Sequence, residues 1–321
     1  MPTAYLRRRG VAALIGVWVA AGCSSGAPLP PVDEGLTGTM LLRGQIAANP
    51  GSAYGLLTYR WTTGTLSPIA LGSFNDGSLA PDGMTAYGFA TPVGGAVYRL
   101  VASRQIGAEI PLLEFPSPGG IASPVGLAVD QVGERIGFTE RFHGSTVRLY
   151  RVGRAGWTDI LEYPGFLEGL DWHPDGRRLL TVVYDDVTPG QIGEGTGRIA
   201  IIDIEAKTVT PIGPVGERLP EDAVFSPDGR SIVYTRLNAD NLELASIGFD
   251  GGRATPLPPQ LEGYRPIFSP DGRYLAYCKQ VRIGINQLPV RFVRRLADGA
   301  TQQILPPETF PTLGCITDWV R

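Results

Sequence analysis

Histidine and lysine are nearly missing from this chain. Its 321 residues hold two histidines, His143 and His173, and two lysines, Lys207 and Lys279. No H-E-x-x-H helix exists, and no Gly-x-Ser-x-Gly stands at a strand-to-helix elbow. That removes the zinc-peptidase and α/β-hydrolase constellations. The basic set is almost all arginine, acidic residues outnumber basic ones by 31 to 28, and there is no basic run. Mild acidity of this kind argues against nucleic acid as a partner. The apolar run Val11 to Ala21 is too short to span a bilayer as a mature helix. With 43 glycines and 28 prolines the composition suits turns and short strands and is poor for helices. An apolar content of 43% is too high for a disordered chain.

A repeated turn is what the chain does have. Phe268-Ser-Pro-Asp-Gly-Arg-Tyr-Leu-Ala-Tyr277 is nearly duplicated by Phe225-Ser-Pro-Asp-Gly-Arg-Ser-Ile-Val-Tyr234. Trp172-His-Pro-Asp-Gly-Arg-Arg-Leu-Leu-Thr181 is a third copy and Leu79-Ala-Pro-Asp-Gly-Met-Thr-Ala-Tyr87 a fourth. A fifth, Val129-Asp-Gln-Val-Gly-Glu-Arg-Ile-Gly-Phe138, keeps the glycine and the apolar tail but has lost Pro-Asp. Proline presets the first corner, aspartate bonds back to the backbone, and glycine supplies the positive φ that closes a hairpin. Carboxylates grouped for chemistry are the competing reading. Turn chemistry explains the same residues more simply.

The Asp-equivalent positions are 82, 132, 175, 228 and 271, so the intervals are 50, 43, 53 and 43 residues. Such a period means a repeat architecture. Between turns the alternation is that of strands, as in Ala200 to Glu205, Ala96 to Leu100, Val147 to Val152 and Leu242 to Phe249. About four runs per interval make a blade of four antiparallel strands. Blade 2 should cover 74–114, blade 3 122–163, blade 4 166–214, blade 5 219–258 and blade 6 262–306. Residues 40–71 read as three strands without an innermost one. Cys315 to Val320 reads as an innermost strand with nothing after it, and its Asp318-Trp319 echoes Asp171-Trp172. Joining the two ends predicts an all-β, six-bladed β-propeller over 40–321, closed by pairing the C-terminal strand with the N-terminal blade.

The motif Trp/Phe-x-Pro-Asp-Gly-Arg-x-Leu/Ile-x-Tyr resembles TolB-type, WD-like propeller repeats over roughly residues 40–320. The resemblance implies that the Pro-Asp-Gly turns lie far apart on the bottom rim and that binding uses the top face. It differs from TolB itself in leaving no room, between Cys23 and the first strand, for an N-terminal α/β domain.

Residues 1–22 read as a signal peptide: Arg7-Arg8-Arg9, an apolar segment, then Ala20-Ala21-Gly22-Cys23. The last four resemble the bacterial lipoprotein signal, with Ala20 where leucine is commoner. That implies acylation of Cys23, and Ser24 after it favours the outer membrane where a cell has two. Residues 23–39, rich in Ser, Gly and Pro, read as a flexible tether.

Candidate site residues come from the expected top face: Arg141, His143, Glu168, Asp185, Asp186, Glu221, Asp222, Arg236, Asn238, Tyr264 and Arg265. His143 lacks a visible nucleophile or carboxylate partner, and His173 occupies the serine slot of a turn. Asp185, Asp186 and Glu194 in a long loop are of calcium-ligand type, but their spacing matches no calcium loop. Cys278 and Cys315 fall in neighbouring blades. They are either a disulfide across the ring closure or two buried thiols.

These readings predict a monomeric, lipid-anchored envelope module without cofactor that binds a protein or peptide. They predict no enzymatic activity. The alternative is a lactonase-like hydrolase using the central funnel, but the expected inner strands carry few metal-ligand side chains. A prolyl-oligopeptidase-like protein would need a hydrolase domain that no stretch encodes.

Overall fold

A computed structural model of the chain describes residues 35–45, 54–71, 74–90, 97–116, 123–141, 144–184, 196–213, 217–218, 221–239, 241–257, 261–283, 286–306 and 313–321. Cys23, His143, Asp185, Asp186 and Glu194 lie outside them, as do the side chains of Arg141 and Glu221. The described residues contain no α-helix.

Six antiparallel sheets make up the propeller. Blade 1 joins β1 (Thr39–Gln45), β2 (Tyr54–Arg60) and β3 (Thr65–Leu71) to the last strand of the chain. Blade 2 is β4 (Phe74–Leu79), β5 (Ala86–Ala90), β6 (Val97–Ser103) and β7 (Ile110–Pro116). Blade 3 is β8 (Ser123–Val129), β9 (Arg135–Arg141), β10 (Ser145–Arg151) and β11 (Trp157–Tyr163). Blade 4 is β12 (Phe166–Trp172), β13 (Arg178–Tyr184), β14 (Thr196–Asp203) and β15 (Thr208–Pro211), and the two-residue β16 (Glu217–Arg218) also pairs with β14. Blade 5 is β17 (Glu221–Phe225), β18 (Ser231–Asn238), β19 (Asn241–Gly248) and β20 (Gly251–Pro256). Blade 6 is β21 (Tyr264–Phe268), β22 (Tyr274–Ile283), β23 (Asn286–Arg295) and β24 (Thr301–Ile304).

The closing strand, β25 (Leu313–Val320), lies beside β1, with Thr39 opposite Val320 and Met40 opposite Trp319. Along the inner ring β25, β4, β8, β12, β17 and β21 each pack against the next, and β21 returns to β25. Closure leaves no inner edge strand exposed.

The core is divided into six layers, one at each blade-to-blade seam. Blades 6 and 1 share Tyr274, Val293, Met40 and Trp319; blades 2 and 3 share Phe89, Phe115, Ile136 and Phe138. The other four seams are built alike. A mid-blade strand therefore buries both faces. That is why Arg178–Tyr184 is apolar almost throughout, whereas the outermost Gly251–Pro256 is largely exposed.

Each repeated turn closes as its residues require. In blade 6 the Gly272 N–H donates to the Ser269 carbonyl, the Ser269 hydroxyl donates to Asp271, and the Asp271 carboxylate accepts the Arg273 N–H. Gly83, Gly133, Gly176, Gly229 and Gly272 all have φ between 64 and 74°. The eroded turn of blade 3 has kept its carboxylate two residues earlier. Asp130, in the serine slot, accepts the N–H groups of Glu134 and Arg135 and pairs with the Arg135 guanidinium.

One expectation is corrected. The turns are not far apart, because the inner ring brings them into file. Gly133 backs onto the Pro81 ring, Gly229 onto His173 and Gly272 onto Pro227. His173 packs on Phe225 and Phe249, with Nε2 3.2 Å from the Gly229 carbonyl, a packing role.

Candidate functional site

The face opposite the turns is where each innermost strand begins, and there those strands bulge. In blades 3, 4, 5 and 6 the register slips between Val125 and Leu127, Glu168 and Asp171, Glu221 and Val224, and Tyr264 and Ile267. A bulge inserts an extra residue and often needs a left-handed backbone, which glycine adopts without strain. Blades 3 and 4 use glycine there: Gly126 at φ 63° and Gly169 at φ 66°. Blades 5 and 6 use Asp222 at φ 49° and Arg265 at φ 54°. Two charged side chains thus occupy a conformation that costs each about 1–2 kcal/mol. Their charges meet, with Arg265 Nε 3.6 Å from Asp222 Oδ1 and both side chains partly exposed. An exposed pair at that distance is too weak to justify the strain.

Other candidates gather around this pair. The Arg265 N–H donates to the Thr235 hydroxyl across the seam. Blade 6 is stitched to blade 5 by Gly263 N–H to the Leu242 carbonyl and Leu244 N–H to the Leu261 carbonyl. Beside the seam, buried Glu243 accepts from Arg236 Nε at 2.8 Å and from Asn238 Nδ2 at 3.1 Å. The Tyr264 hydroxyl accepts from Gln280 at 2.9 Å, and Lys279 pairs with Glu262. Burial raises the Tyr264 pKa; Arg265 opposes the rise and Asp222 adds to it. Asp222, Arg236, Asn238, Tyr264 and Arg265 therefore share the top of blades 5 and 6. Glu168 belongs to blade 4, where its carbonyl accepts the Thr181 hydroxyl. Glu221 pairs with Thr235 through the backbone, and Arg141 with Ser123 and Ser145.

The roles of three polar side chains, Asp171, Asp318 and Arg291, were not foreseen. Asp171 and Asp318 are half-buried near the turn end of the inner ring. Each reaches the next blade: Asp171 accepts the Phe225 N–H at 2.7 Å, and Asp318 accepts the Leu79 N–H and the Ser78 hydroxyl, both at 2.7 Å. Ser78 in turn accepts the Val129 N–H of blade 3. Burial pushes Asp171 up to about 7, with the charge of Asp318 adding to the rise, and burial raises Asp318 as well. The repeated Asp-Trp doublet was the available signal. Arg291 is fully buried and donates to the carbonyls of Leu305, Leu313 and Gly314, tying blade 6 to the closing strand. Burial lowers its pKa to about 10. Of the two readings for the cysteines, the disulfide is the one present: Cys278 of β22 and Cys315 of β25 are joined, with Cα atoms 5.8 Å apart. Among the described residues no three His, Cys, Asp or Glu side chains group as a metal site.

Comparison with models of known families and with curated proteins returned no match. Solved structures do match. TolB from Acinetobacter baumannii is 15% identical, with 84% of this chain and 69% of that one covered and a TM-score of 0.56. The putative TolB from Agrobacterium tumefaciens is 13% identical over 84% and 89%, at 0.59. An oligogalacturonate lyase in complex with manganese is 12% identical over 84% and 78%, at 0.52. At such identities the likeness is one of fold. The chain carries a TolB-like six-bladed β-propeller.

Proposed function

We propose that this protein is a lipid-anchored propeller of the cell envelope that binds a protein or peptide through the top of blades 5 and 6. The observation that carries the binding reading is the Asp222–Arg265 pair. It stands in left-handed backbone at positions where blades 3 and 4 have glycine. Strain retained without a matching gain in stability is a mark of a functional surface. Mixed charges beside Tyr264 suit a polar peptide surface better than an apolar ligand. The anchoring reading rests on Ala20-Ala21-Gly22-Cys23, with Ser24 favouring the outer membrane where a cell has two.

A photo-crosslinking residue at Asn238, in intact cells, should trap a partner, while the same residue at Arg253 on the turn side should not. Equal background yields from both positions would defeat the binding reading. The mass of the N-terminal peptide tests the anchor: acylated Cys23 is expected, and a free thiol there would refute it.

The alternative, a hydrolase or lyase using the central funnel, draws on the fold shared with the oligogalacturonate lyase. The inner-strand carboxylates Asp171 and Asp318 are engaged in holding neighbouring blades, so the binding reading is preferred. Soaking with Ca²⁺ or Zn²⁺ and finding an ordered ion in the channel would reverse that preference.

A further inference from the structure

The large apolar side chains exposed among the described residues are Met84, Ile110, Val132, Val152, Trp157 and Leu296. Every one lies in, or at the start of the strand after, a turn on the face opposite the candidate binding site. All but Leu296 belong to blades 2 and 3. The repeat supplies its own control. Val132 stands where the other turns have aspartate, and Met84 where blades 4, 5 and 6 have Arg177, Arg230 and Arg273. Val132 is 70% and Ile110 61% exposed, so they serve no packing.

The residues form one surface. The turn of Met84 touches that of Val132 through Pro81 and Gly133, and the Val152 N–H donates to the Glu134 carbonyl beside it. Trp157 pairs with Tyr150 at the base of the Val152 hairpin and packs on Phe115 of blade 2. Around them Arg104, Arg151 and Arg154 alternate with Glu109 and Glu134, so no single charge dominates.

The chain enters the ring on this same face. The Thr37 carbonyl accepts the Trp319 indole N–H, and Thr39 lies against Gly83, the residue before Met84. Gly35 stands twelve positions after Cys23, a reach of at most about 40 Å.

We infer that the turn face of blades 2 and 3 docks on the lipid bilayer, with Met84, Ile110, Val132, Val152 and Trp157 entering the interface. This rests on the anchored reading above in one respect only, the nearness of lipid to the entry point. Apolar turn residues with an amphipathic tryptophan suit the headgroup boundary. Docked this way, the ring presents the tops of blades 5 and 6 away from the membrane.

The test uses the full protein isolated from its own membrane and mixed with phosphatidylcholine vesicles brominated near the headgroup. Trp172 and Trp319 are buried and Trp61, at the turn end of blade 1, is half-buried against Trp319, so Trp157 is the most exposed of the described tryptophans and should carry most of the quenching. Wild-type emission should fall relative to unbrominated vesicles, and Trp157→Phe should remove most of that fall. The pair Val132→Asp and Met84→Arg, which installs residues other turns already carry, should also abolish quenching while the melting temperature holds. Acylated protein without quenching overturns the inference and leaves the anchor standing. Quenching of unacylated protein does the reverse. Absence of both refutes both. A lipid-free dimer that the Val132→Asp, Met84→Arg protein dissolves would make this face a contact between copies and overturn the bilayer assignment.

Discussion

Breaking the Cys278–Cys315 bond measures how much the ring depends on its closure. The bond joins β22 of blade 6 to β25 of blade 1 and spans 37 residues of sequence. Opening a loop of that length frees the unfolded chain by about 4 kcal/mol. Reduction leaves both sulfurs in place, so little packing is lost and the entropic effect dominates. At about 2.1 cal/mol/K per residue, a ring of roughly 280 residues has an unfolding entropy near 600 cal/mol/K. Reduction should therefore lower Tm by about 7 °C. The assay is calorimetry with and without a phosphine reductant, beside a Cys278→Ala, Cys315→Ala protein that should not respond. A shift below about 1 °C, or an equal shift in the alanine protein, would refute the assignment. Such a bond persists in an oxidising compartment, which supports the extracytoplasmic location proposed above.

Other perturbations follow from the same geometry. Removing the last eight residues deletes most of β25, with Trp319 and the Asp318 contact to blade 2, and circular dichroism should show loss of the cooperative melt. Asp171, raised from 3.8 to about 7, binds its proton more tightly folded than unfolded. Its contribution should make stability fall between pH 4 and pH 7, by as much as about 4 kcal/mol. Melts across that range in wild type and Asp171→Asn should differ in slope, whatever their absolute level; equal slopes would exclude Asp171 as the cause. In acid the order reverses. Ser226 and the Arg230 N–H hold Asp228 low, and Asp271 is low because its bonds to Ser269 and Arg273 outweigh burial, so their stabilisation is lost as pH falls below the ordinary carboxylate range. Asp222→Gly or Arg265→Gly should keep or raise Tm, by up to about 1–2 kcal/mol of relieved strain, while abolishing crosslinking from Asn238. Arg291→Lys replaces a planar fork with a point charge, and denaturant titration should find a loss of about 2–4 kcal/mol.

The architecture was legible because a propeller repeats its turn chemistry. Pro-Asp-Gly needs no tertiary contact to favour a hairpin, so its spacing marked the blades, and the orphan strands at 40–71 and 315–320 called for joining. Strand ends moved by a few residues: Ala200 to Glu205 became Thr196–Asp203. Hydrogen-bond register, which periodicity does not encode, sets those limits.

The site was only half legible. The top-face loops could be named from the order of strands, but Glu243, which orders Arg236 and Asn238, comes from a strand interior and looks like any other residue in a β run. The meaning of Asp222 and Arg265 depends on φ, and φ at a bulge is imposed by pairing across the blade.

Sequence alone determined the number of blades and the mode of closure, because both depend on local chemistry recurring at a fixed spacing. Tertiary structure decided everything that depends on neighbours in space. It set the aspartates of one blade against the amides of the next and joined the two cysteines. It also gathered onto one face the apolar residues that break the turn pattern. The physical reason is that blades meet through residues some forty positions apart, and no local preference says which of those will touch.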